Sequence, residues 1–247
     1  MTTAHELNSG QPLVHMTYFS VDPLKTGIPS NFESVKQFFP DHLVKVWSIA
    51  EVRDVMISRH DEELLECFDC LIPLAYKSDL ASYYLLNIFG GWYTDLNNFF
   101  TASPPDVSEC TMYLFKDIHD EPAPWSISTS IFYARAHSPA LVKVLELVLE
   151  NFRHHRIGNT PLCVTGPTVF GSAIAGVGLI PGVNYHTGEF VYQGEQKVFL
   201  TREKELLALY KPNGVGHGES GVPGGNNYTE LWNSRQVYSC PSSTTRY

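Results

Sequence analysis

The sequence predicts a single α/β domain in which helices flank a mostly parallel central sheet. Short apolar stretches, of the length of buried strands, alternate with segments whose apolar residues recur at helical spacing. Strands and helices that alternate in this way form parallel sheets, because each return to the sheet passes through a helix. The 247 residues are enough for one large core and show no internal repeat. We therefore expect one domain over residues 1–247.

In the first half of the chain, proline and glycine mark the ends of the elements. Strands are predicted at 13–20, at 43–49 and from residue 92, and helices at 31–39, 51–70 and 77–89. Pro23 follows the first strand, and Pro40 follows the first helix. Ser78 or Asp79 is expected to cap the third helix. The Gly90–Gly91 pair is expected to end it, because glycine readily adopts the backbone conformation of a C-terminal cap.

The second half of the chain continues the alternation and then becomes glycine-rich. Strands are predicted at 111–115 and 126–134, helices at 138–155 and 168–177, and short ordered segments at 196–200 and 205–210. The segment 211–227 is rich in glycine. Glycine loses the most conformational entropy on ordering, so we expect this segment to be a mobile loop unless a bound ligand holds it.

The composition and charge argue against several classes of function. A net charge of −9 is the opposite of the basic surface that non-specific nucleic-acid binding or a polybasic membrane patch needs. The N-terminal residues lack the pattern of a signal peptide, and no run of about 18 apolar residues predicts a membrane-spanning helix. We expect a cytoplasmic protein, alone or as part of a longer chain, and leave peripheral membrane association open.

The five cysteines are sparse and odd in number, which favours a reducing compartment over a disulfide framework. Cys67 and Cys70 have the spacing of half a zinc site, but no second pair accompanies them. We therefore interpret both as buried thiols at a helix end.

An acid and an amide, Asp95 and Asn97, follow the predicted strand that begins at residue 92. One interpretation is a turn between two buried elements. The other is a metal site, because ligands of open α/β sheets bind at the carboxyl ends of strands, and residues i and i+2 of a strand face the same way. Both side chains offer oxygen, which hard divalent cations prefer and share with phosphates.

The surrounding segment, KSDLASYYLLNIFGGWYTDLNNF, resembles the signature of glycosyltransferases with the DXD sugar-binding motif. The shared features are a Ser-Asp pair, an apolar helix, a Gly-Gly turn, an aromatic residue and an Asp-x-Asp motif. The matching residues are Lys77, Ser78, Asp79, Gly90, Gly91, Tyr93 and Asp95. The likeness is to capsular, lipopolysaccharide-type and mannosyltransferase-like members, and more distantly to the catalytic domains of glucosylating clostridial toxins. Weaker similarity, starting at residues 14–18, extends it over about two thirds of the chain.

The resemblance implies a GT-A fold, which is Rossmann-like, and transfer of a sugar from a nucleotide-sugar donor to a glycan or other hydroxyl acceptor. It further implies Mn²⁺ or Mg²⁺ on the donor diphosphate. Asp79 would hold sugar hydroxyls, Asp95 the ribose and the metal, and Asn97 the metal directly; Asp79 and Asp95 are the catalytic candidates. The other implied donor-binding residues are Tyr18, which would stack on the base, Ser78, Gly91, Tyr93 and Trp232.

The chain departs from the family pattern at two positions. Asn97 stands where the family usually has a second acid, and the loss of charge predicts weaker metal binding. Ser82 stands where the family has an arginine, so we expect a different cation or a different sugar at the donor.

The family usually adds a third metal or phosphate contact from its C-terminal part. His217 is the first candidate for it, and the others are Glu219, Asn226 and Trp232. A glycine-rich loop at 211–227 would then fold over the donor and exclude water. An inverting enzyme would also need a carboxylate base, for which Asp117, Asp120 and Glu189 are available. The resembling families are mostly retaining, which favours retention by analogy.

Two other functions stay open at this stage. A metal-dependent nucleotidyltransferase can share the fold, although residues 20–30 are a poor version of the basic glycine-rich loop that such enzymes carry. A catalytically weak sugar-nucleotide-binding protein is the second alternative, because of Ser82 and Asn97.

Overall fold

The computed structural model describes residues 10–19, 30–117, 123, 125–178, 183–212 and 227–241. Within these ranges the strands are β1 (Leu13–Thr17), β2 (Leu43–Trp47), β3 (Gly91–Thr94), β4 (Asn98–Phe100), β5 (Met112–Asp117), β6 (Ile131–Ala134), β7 (Tyr185–Gln193), β8 (Gln196–Leu200) and β9 (Leu206–Tyr210). The helices are α1 (Ser30–Phe38), α2 (Ile49–Ser58), α3 (Glu62–Cys70), α4 (Leu74–Phe89), α5 (Pro139–Arg153), α6 (Pro167–Val177) and α7 (Tyr228–Asn233), with a 3₁₀ turn at Pro161–Cys163. An α/β architecture with helices flanking the sheet is thus confirmed.

The described strands form one mixed sheet in the order β2-β1-β3-β6-β5-β7-β8-β9-β4. Only the pairings β1–β2, β1–β3 and β5–β7 are parallel, and the other five are antiparallel. The prediction of a mostly parallel sheet is therefore wrong. For two of the antiparallel pairs, β7–β8 and β8–β9, the reason is that a short connection replaces a helical crossover. Between β7 and β8 there is only a two-residue turn, in which Gly194 has a φ of +63°.

Two helices differ from their predicted bounds. The predicted helix 51–70 is two helices, α2 and α3, because the helix is interrupted near His60, whose φ is +59°. Helix α4 starts at Leu74, directly after Pro73, rather than at Ser78 or Asp79. Both residues therefore lie one turn inside the helix, where they do not cap it and their side chains project from its surface.

The sheet separates two apolar cores. The larger contains the inward faces of α4, α5 and α6, and the smaller contains residues of α1 and of the strands near β8 and β9. Successive residues of β3 alternate between them, with Trp92 in the smaller core and Tyr93 in the larger. Gly91, at the start of β3, has a φ of +107°, and a Cβ atom there would lie 2.5 Å from the carbonyl oxygen of Leu13. Glycine thus lets β3 pack against β1.

Cys67 and Cys70 are both buried, as predicted, but Cys70 forms a disulfide bond with Cys240. The pairing spans 170 residues and contradicts the interpretation of Cys70 as a free thiol. It ties the C-terminal segment that includes α7 to the end of α3. Of the described helices, none has the length and apolar character needed to cross a membrane.

Candidate active site

A cavity of about 350 Å³ lies at the carboxyl ends of β1 and β3. Its described lining brings a group of residues that contains two acids together with two lysines. One wall carries Ser78 and Asp79 of α4 and, after β3, Asp95; with Tyr93 beneath them we call these four residues the acidic wall. Lys197 of β8 and Lys211, directly after β9, line the same cavity and form what we call the lysine wall.

Asp95 is held from below by a cluster of hydroxyl groups. The Tyr93 hydroxyl donates to Asp95 Oδ1 at 2.9 Å and also lies 2.9 Å from the hydroxyls of Ser78 and Thr17, which are 2.6 Å apart. Burial, together with the nearby charge of Asp95, raises the pKa of Tyr93 well above its ordinary value. Tyr93 therefore remains a hydrogen-bond donor and fixes one carboxylate oxygen of Asp95.

Asp79 lies deeper in the cavity, where its Oδ2 accepts a hydrogen bond of 2.9 Å from the hydroxyl of Thr165. Burial raises the pKa of Asp79 to about 7, and the charge of Asp95 adds to this rise. Hydrogen bonds from Thr165 and Thr129 act in the opposite direction. The carboxyl group therefore exchanges a proton near neutral pH, in contrast to an exposed aspartate.

Asp95 and Asn97 lie in a tight turn between β3 and β4, not within a strand. Asn98 holds this turn, because its side-chain amide donates to the Ser130 carbonyl at 3.0 Å and to Thr94 Oγ1 at 3.1 Å. Asp95 and Asn97 both line the cavity. The two interpretations of this segment are therefore compatible, since the residues of one turn border one cavity.

The two cavity lysines are the residues that sequence reasoning missed. Strand β9 lies between β4 and β8, with Tyr210 opposite Asn98 on one side and opposite Lys197 on the other. The backbone N–H of Lys211 donates to the carbonyl oxygen of Asn97 at 2.9 Å. No nearby sequence feature indicates that these lysines belong to the site, because the pairing of β4 with β9, about one hundred residues later, brings them close to Asn97.

Several other sequence candidates lie away from the cavity. Gly91 is at the far end of β3, and Tyr18 does not line the cavity although Thr17 and Phe19 do. Ser82 is fully buried and donates to the backbone oxygen of Asp79 at 2.7 Å. Trp232 donates its indole N–H to the carbonyl oxygen of Ile157 at 2.8 Å and packs on the larger core.

Of the candidates from the C-terminal part and the candidate bases, some line the cavity, some lie elsewhere and some are outside the described residues. Tyr228 of α7 lines the cavity where Trp232 was expected. Asp117 lines the cavity, whereas Glu189 forms an ion pair with Lys204 at 2.5 Å. His217, Glu219, Asn226 and Asp120 lie outside the described residues, as does most of the predicted mobile loop 211–227.

The described part of the cavity suits a metal ion that is shared with a ligand. The one described group of three His, Cys, Asp or Glu side chains with ligand atoms within 4.8 Å of one another is Cys70, His155 and Cys240, two of which are joined in the disulfide. Among the described residues, the cavity acids therefore do not form a complete set of metal ligands by themselves. Asp95 and Asn97 nevertheless supply oxygen donors from one turn, and Mg²⁺-type ions commonly use one or two such ligands together with substrate phosphates.

The fold is similar to that of a solved structure named PaToxG Glycosyltransferase. The TM-score is 0.53 at 15% identity, and the match covers 70% of each chain. The chain has a glycosyltransferase-like fold. A transferase with two cysteine-to-serine substitutions matches at a TM-score of 0.39 and 11% identity, over 70% of this chain and 87% of the other. No protein-family model and no curated protein sequence matches the chain.

Proposed function

We propose that the protein is a glycosyltransferase that moves a sugar from a nucleotide-sugar donor to the hydroxyl group of a glycan or glycoconjugate. The observation that carries this proposal is the convergence of Asp79, Asp95 and Asn97 on one cavity at the carboxyl ends of β1 and β3. These residues come from a helix and from the turn after the next strand, and the cavity is in the place where open α/β sheets bind nucleotides. The glycosyltransferase-like fold supports the same function.

The two acids differ in their surroundings and so take different roles. The hydrogen bond from Tyr93 fixes one oxygen of Asp95 in position, which suits a carboxylate that contacts the ribose and a cation. Asp79 is deeper and has a pKa of about 7, so it can both accept from and donate to sugar hydroxyls. Hydrogen bonds from Thr165 and Thr129 hold the carboxyl group of Asp79 in place, which would fix its orientation towards the sugar.

A bound Mn²⁺ or Mg²⁺ would be held by Asp95 and Asn97, together with phosphate oxygens of the donor. When bound, the ion would neutralise the charge that grows on the β-phosphate as the sugar leaves. This chain's own residues bind and orient the donor: Asp79 holds the sugar end, and Asp95 and Asn97 hold the diphosphate end.

We propose transfer with retention of configuration, by analogy with the families that the sequence resembles. If the product is inverted, Asp117 is the described carboxylate to test as the base, since it lines the cavity and Glu189 is paired with Lys204. The acidic charge of the chain fits the further proposal of a cytoplasmic enzyme that works alone or at a membrane surface, and the Cys70–Cys240 disulfide counts against that location, because disulfides are rare in reducing compartments.

The test is incubation of the purified protein with a panel of nucleotide sugars and Mn²⁺ or Mg²⁺, with release of the nucleoside diphosphate as the readout. We expect slow hydrolysis of one donor, which disappears in Asp95→Ala. Pyrophosphate release from a nucleoside triphosphate would instead identify a nucleotidyltransferase. Tight donor binding without turnover, under all metals and with added glycan acceptors, would identify a sugar-nucleotide-binding protein.

A further inference from the structure

The cavity contains more negative than positive groups, although the donor that it would bind is an anion. Its described lining includes three carboxylates, those of Asp79, Asp95 and Asp117, against two lysines. Asp79, with a pKa of about 7, is only partly ionised at neutral pH, so a divalent ion alone would leave this lining between neutral and singly negative, which does not attract a doubly charged diphosphate. With both lysines the lining becomes positive once the ion is bound. The cavity therefore needs the lysine wall to attract a diphosphate.

The backbone places both lysines beside the turn that carries Asn97. The Lys211 N–H donates to the Asn97 carbonyl oxygen at 2.9 Å, and Lys197 lies opposite Tyr210 in the neighbouring strand. Neighbouring strands are about 4.8 Å apart, so the two side chains start from adjacent strands on one side of the cavity. Two lysines that start from adjacent strands can each reach a different one of two linked phosphates.

Lys211 has a backbone conformation that is unusual for its residue type. Its φ is +48°, in the left-handed region, which costs about 1 kcal/mol or more for a residue with a side chain. Successive residues of a regular strand face opposite ways, yet Tyr210 and Lys211 both line the cavity. The left-handed backbone breaks the alternation at the point where a cation reaches the cavity, and such strain concentrates at functional sites.

Aromatic rings lie beside both ammonium groups, and one of these rings, that of Tyr210, belongs to a residue that lines the cavity. Lys211 Nζ lies 5.0 Å from the ring centroid of Tyr210, and Lys197 Nζ lies 5.0 Å from that of Tyr192. Burial lowers the pKa of Lys211, while the charge of Asp95 counteracts this effect and that of Lys197 adds to it. The two lysines and Asp95 are thus close enough for their charges to interact, as in a site built for an anion that shares a cation with Asp95.

We propose that Lys197 and Lys211 bind the diphosphate of the nucleotide-sugar donor, and that they make the site selective for nucleoside diphosphates over nucleosides and nucleoside monophosphates. This assignment rests on the proposed function, because it takes the cavity to be the donor site. Lysine is a compact cation without the planar fork of arginine, so it neutralises phosphate without fixing its orientation. Orientation is left to Asp79, Asp95 and Asn97.

The test is calorimetric titration of the full chain, in Mg²⁺, with uridine, guanosine, cytidine and adenosine as nucleosides, monophosphates and diphosphates. We expect Lys197→Met and Lys211→Met each to weaken binding of the preferred diphosphate about tenfold or more, the size of one charge-assisted contact. Binding of the matching nucleoside should change less than about twofold, because it lacks the phosphates. Lys197→Arg and Lys211→Arg should restore most of the diphosphate affinity.

Lys143→Met is the matched control, since Lys143 is half exposed on α5 and pairs there with Glu146 at 3.0 Å. Thermal unfolding of every variant checks the fold, and if Lys211→Met does not fold, Lys197→Met carries the comparison against its arginine counterpart. Unchanged diphosphate affinity in the methionine variants would overturn the lysine assignment while the proposed function stands. A wild-type protein that binds none of the nucleotides would overturn both.

Discussion

The two walls of the cavity hold their charges in different ways. On the acidic wall, hydrogen bonds of 2.9 Å from Tyr93 and Thr165 fix the carboxyl groups of Asp95 and Asp79. On the lysine wall, each ammonium group lies about 5 Å from the centroid of an aromatic ring. Hydrogen bonds set direction, whereas a point charge beside a ring sets mainly electrostatic potential. The acidic wall therefore fixes the direction of its carboxyl groups, whereas the lysine wall supplies positive charge that attracts an anion.

The largest effect is expected when the carboxylate at the centre of the acidic wall is removed, which tests whether this wall orients the donor. We expect Asp95→Ala to lower transfer about a hundredfold or more, roughly 2.7 kcal/mol of barrier, because the cation and ribose lose their main ligand. Steady-state kinetics on the identified donor measure the loss. Asp106→Ala, at an exposed acid outside the cavity, should change nothing. Retention of more than about a tenth of the wild-type rate by Asp95→Ala would contradict the role of Asp95.

A second prediction concerns the pH dependence of stability that Asp79 creates. Its pKa is about 7 in the folded protein against 3.8 ordinarily, so the folded state binds the proton more tightly. The resulting stability is present below about pH 4 and is lost as the pH rises towards 7. Each pKa unit corresponds to about 1.4 kcal/mol, which screening by solvent in the cavity reduces. We expect the wild type to lose about 1–2 kcal/mol of unfolding free energy between pH 5 and pH 8 through this group.

Urea unfolding of wild type and Asp79→Asn at both pH values measures the effect. Asparagine can keep the hydrogen bond with Thr165 but does not titrate, so the variant should lack this part of the pH slope. Asp106→Asn is the matched control, because hydrogen bonds from Ser108 lower the pKa of Asp106 below its ordinary value of 3.8, which is already below this window. Equal slopes for Asp79→Asn and wild type would show that Asp79 is ionised throughout.

A smaller effect is expected from a change in the hydroxyl cluster under Asp95. Such a change alters the position of the Asp95 carboxylate but not its charge. Tyr93→Phe removes the donor to Asp95 and a partner of Ser78 and Thr17, which should cost about 1 kcal/mol of unfolding free energy. Tyr185→Phe is the control, because the Tyr185 hydroxyl is buried without a partner among the described residues. We also expect a lower kcat in Tyr93→Phe with a modest change in KM. A loss of stability at normal kcat would mean that Tyr93 only supports the fold.

The two walls also differ in how far the sequence predicts them. Ser78, Asp79, Tyr93 and Asp95 fall within 18 residues, so local spacing along one helix and one strand is enough to bring them together. Lys197 and Lys211 reach the cavity through β4–β9–β8 pairing, and register between distant strands is not encoded in any short segment. For the same reason the predictions of a mostly parallel sheet and of a free Cys70 thiol are wrong. Most of the other elements lie near their predicted positions, but β4, β7 and α7 are not predicted.

Asn97 lies where the two walls meet, because it lines the cavity and its backbone carbonyl oxygen accepts from the backbone N–H of Lys211. We expect Asn97→Asp to tighten Mn²⁺ binding several-fold in the presence of the nucleoside diphosphate, since a carboxylate replaces a neutral amide oxygen. The same charge next to the lysine wall should weaken diphosphate binding when no metal is present. Calorimetry with and without Mn²⁺ resolves the two effects, and Asp95→Asn combined with Asn97→Asp tests whether the gain depends on Asp95. Equal or weaker Mn²⁺ affinity in Asn97→Asp would place the metal away from this turn and leave the lysine wall as the main source of positive charge for the donor.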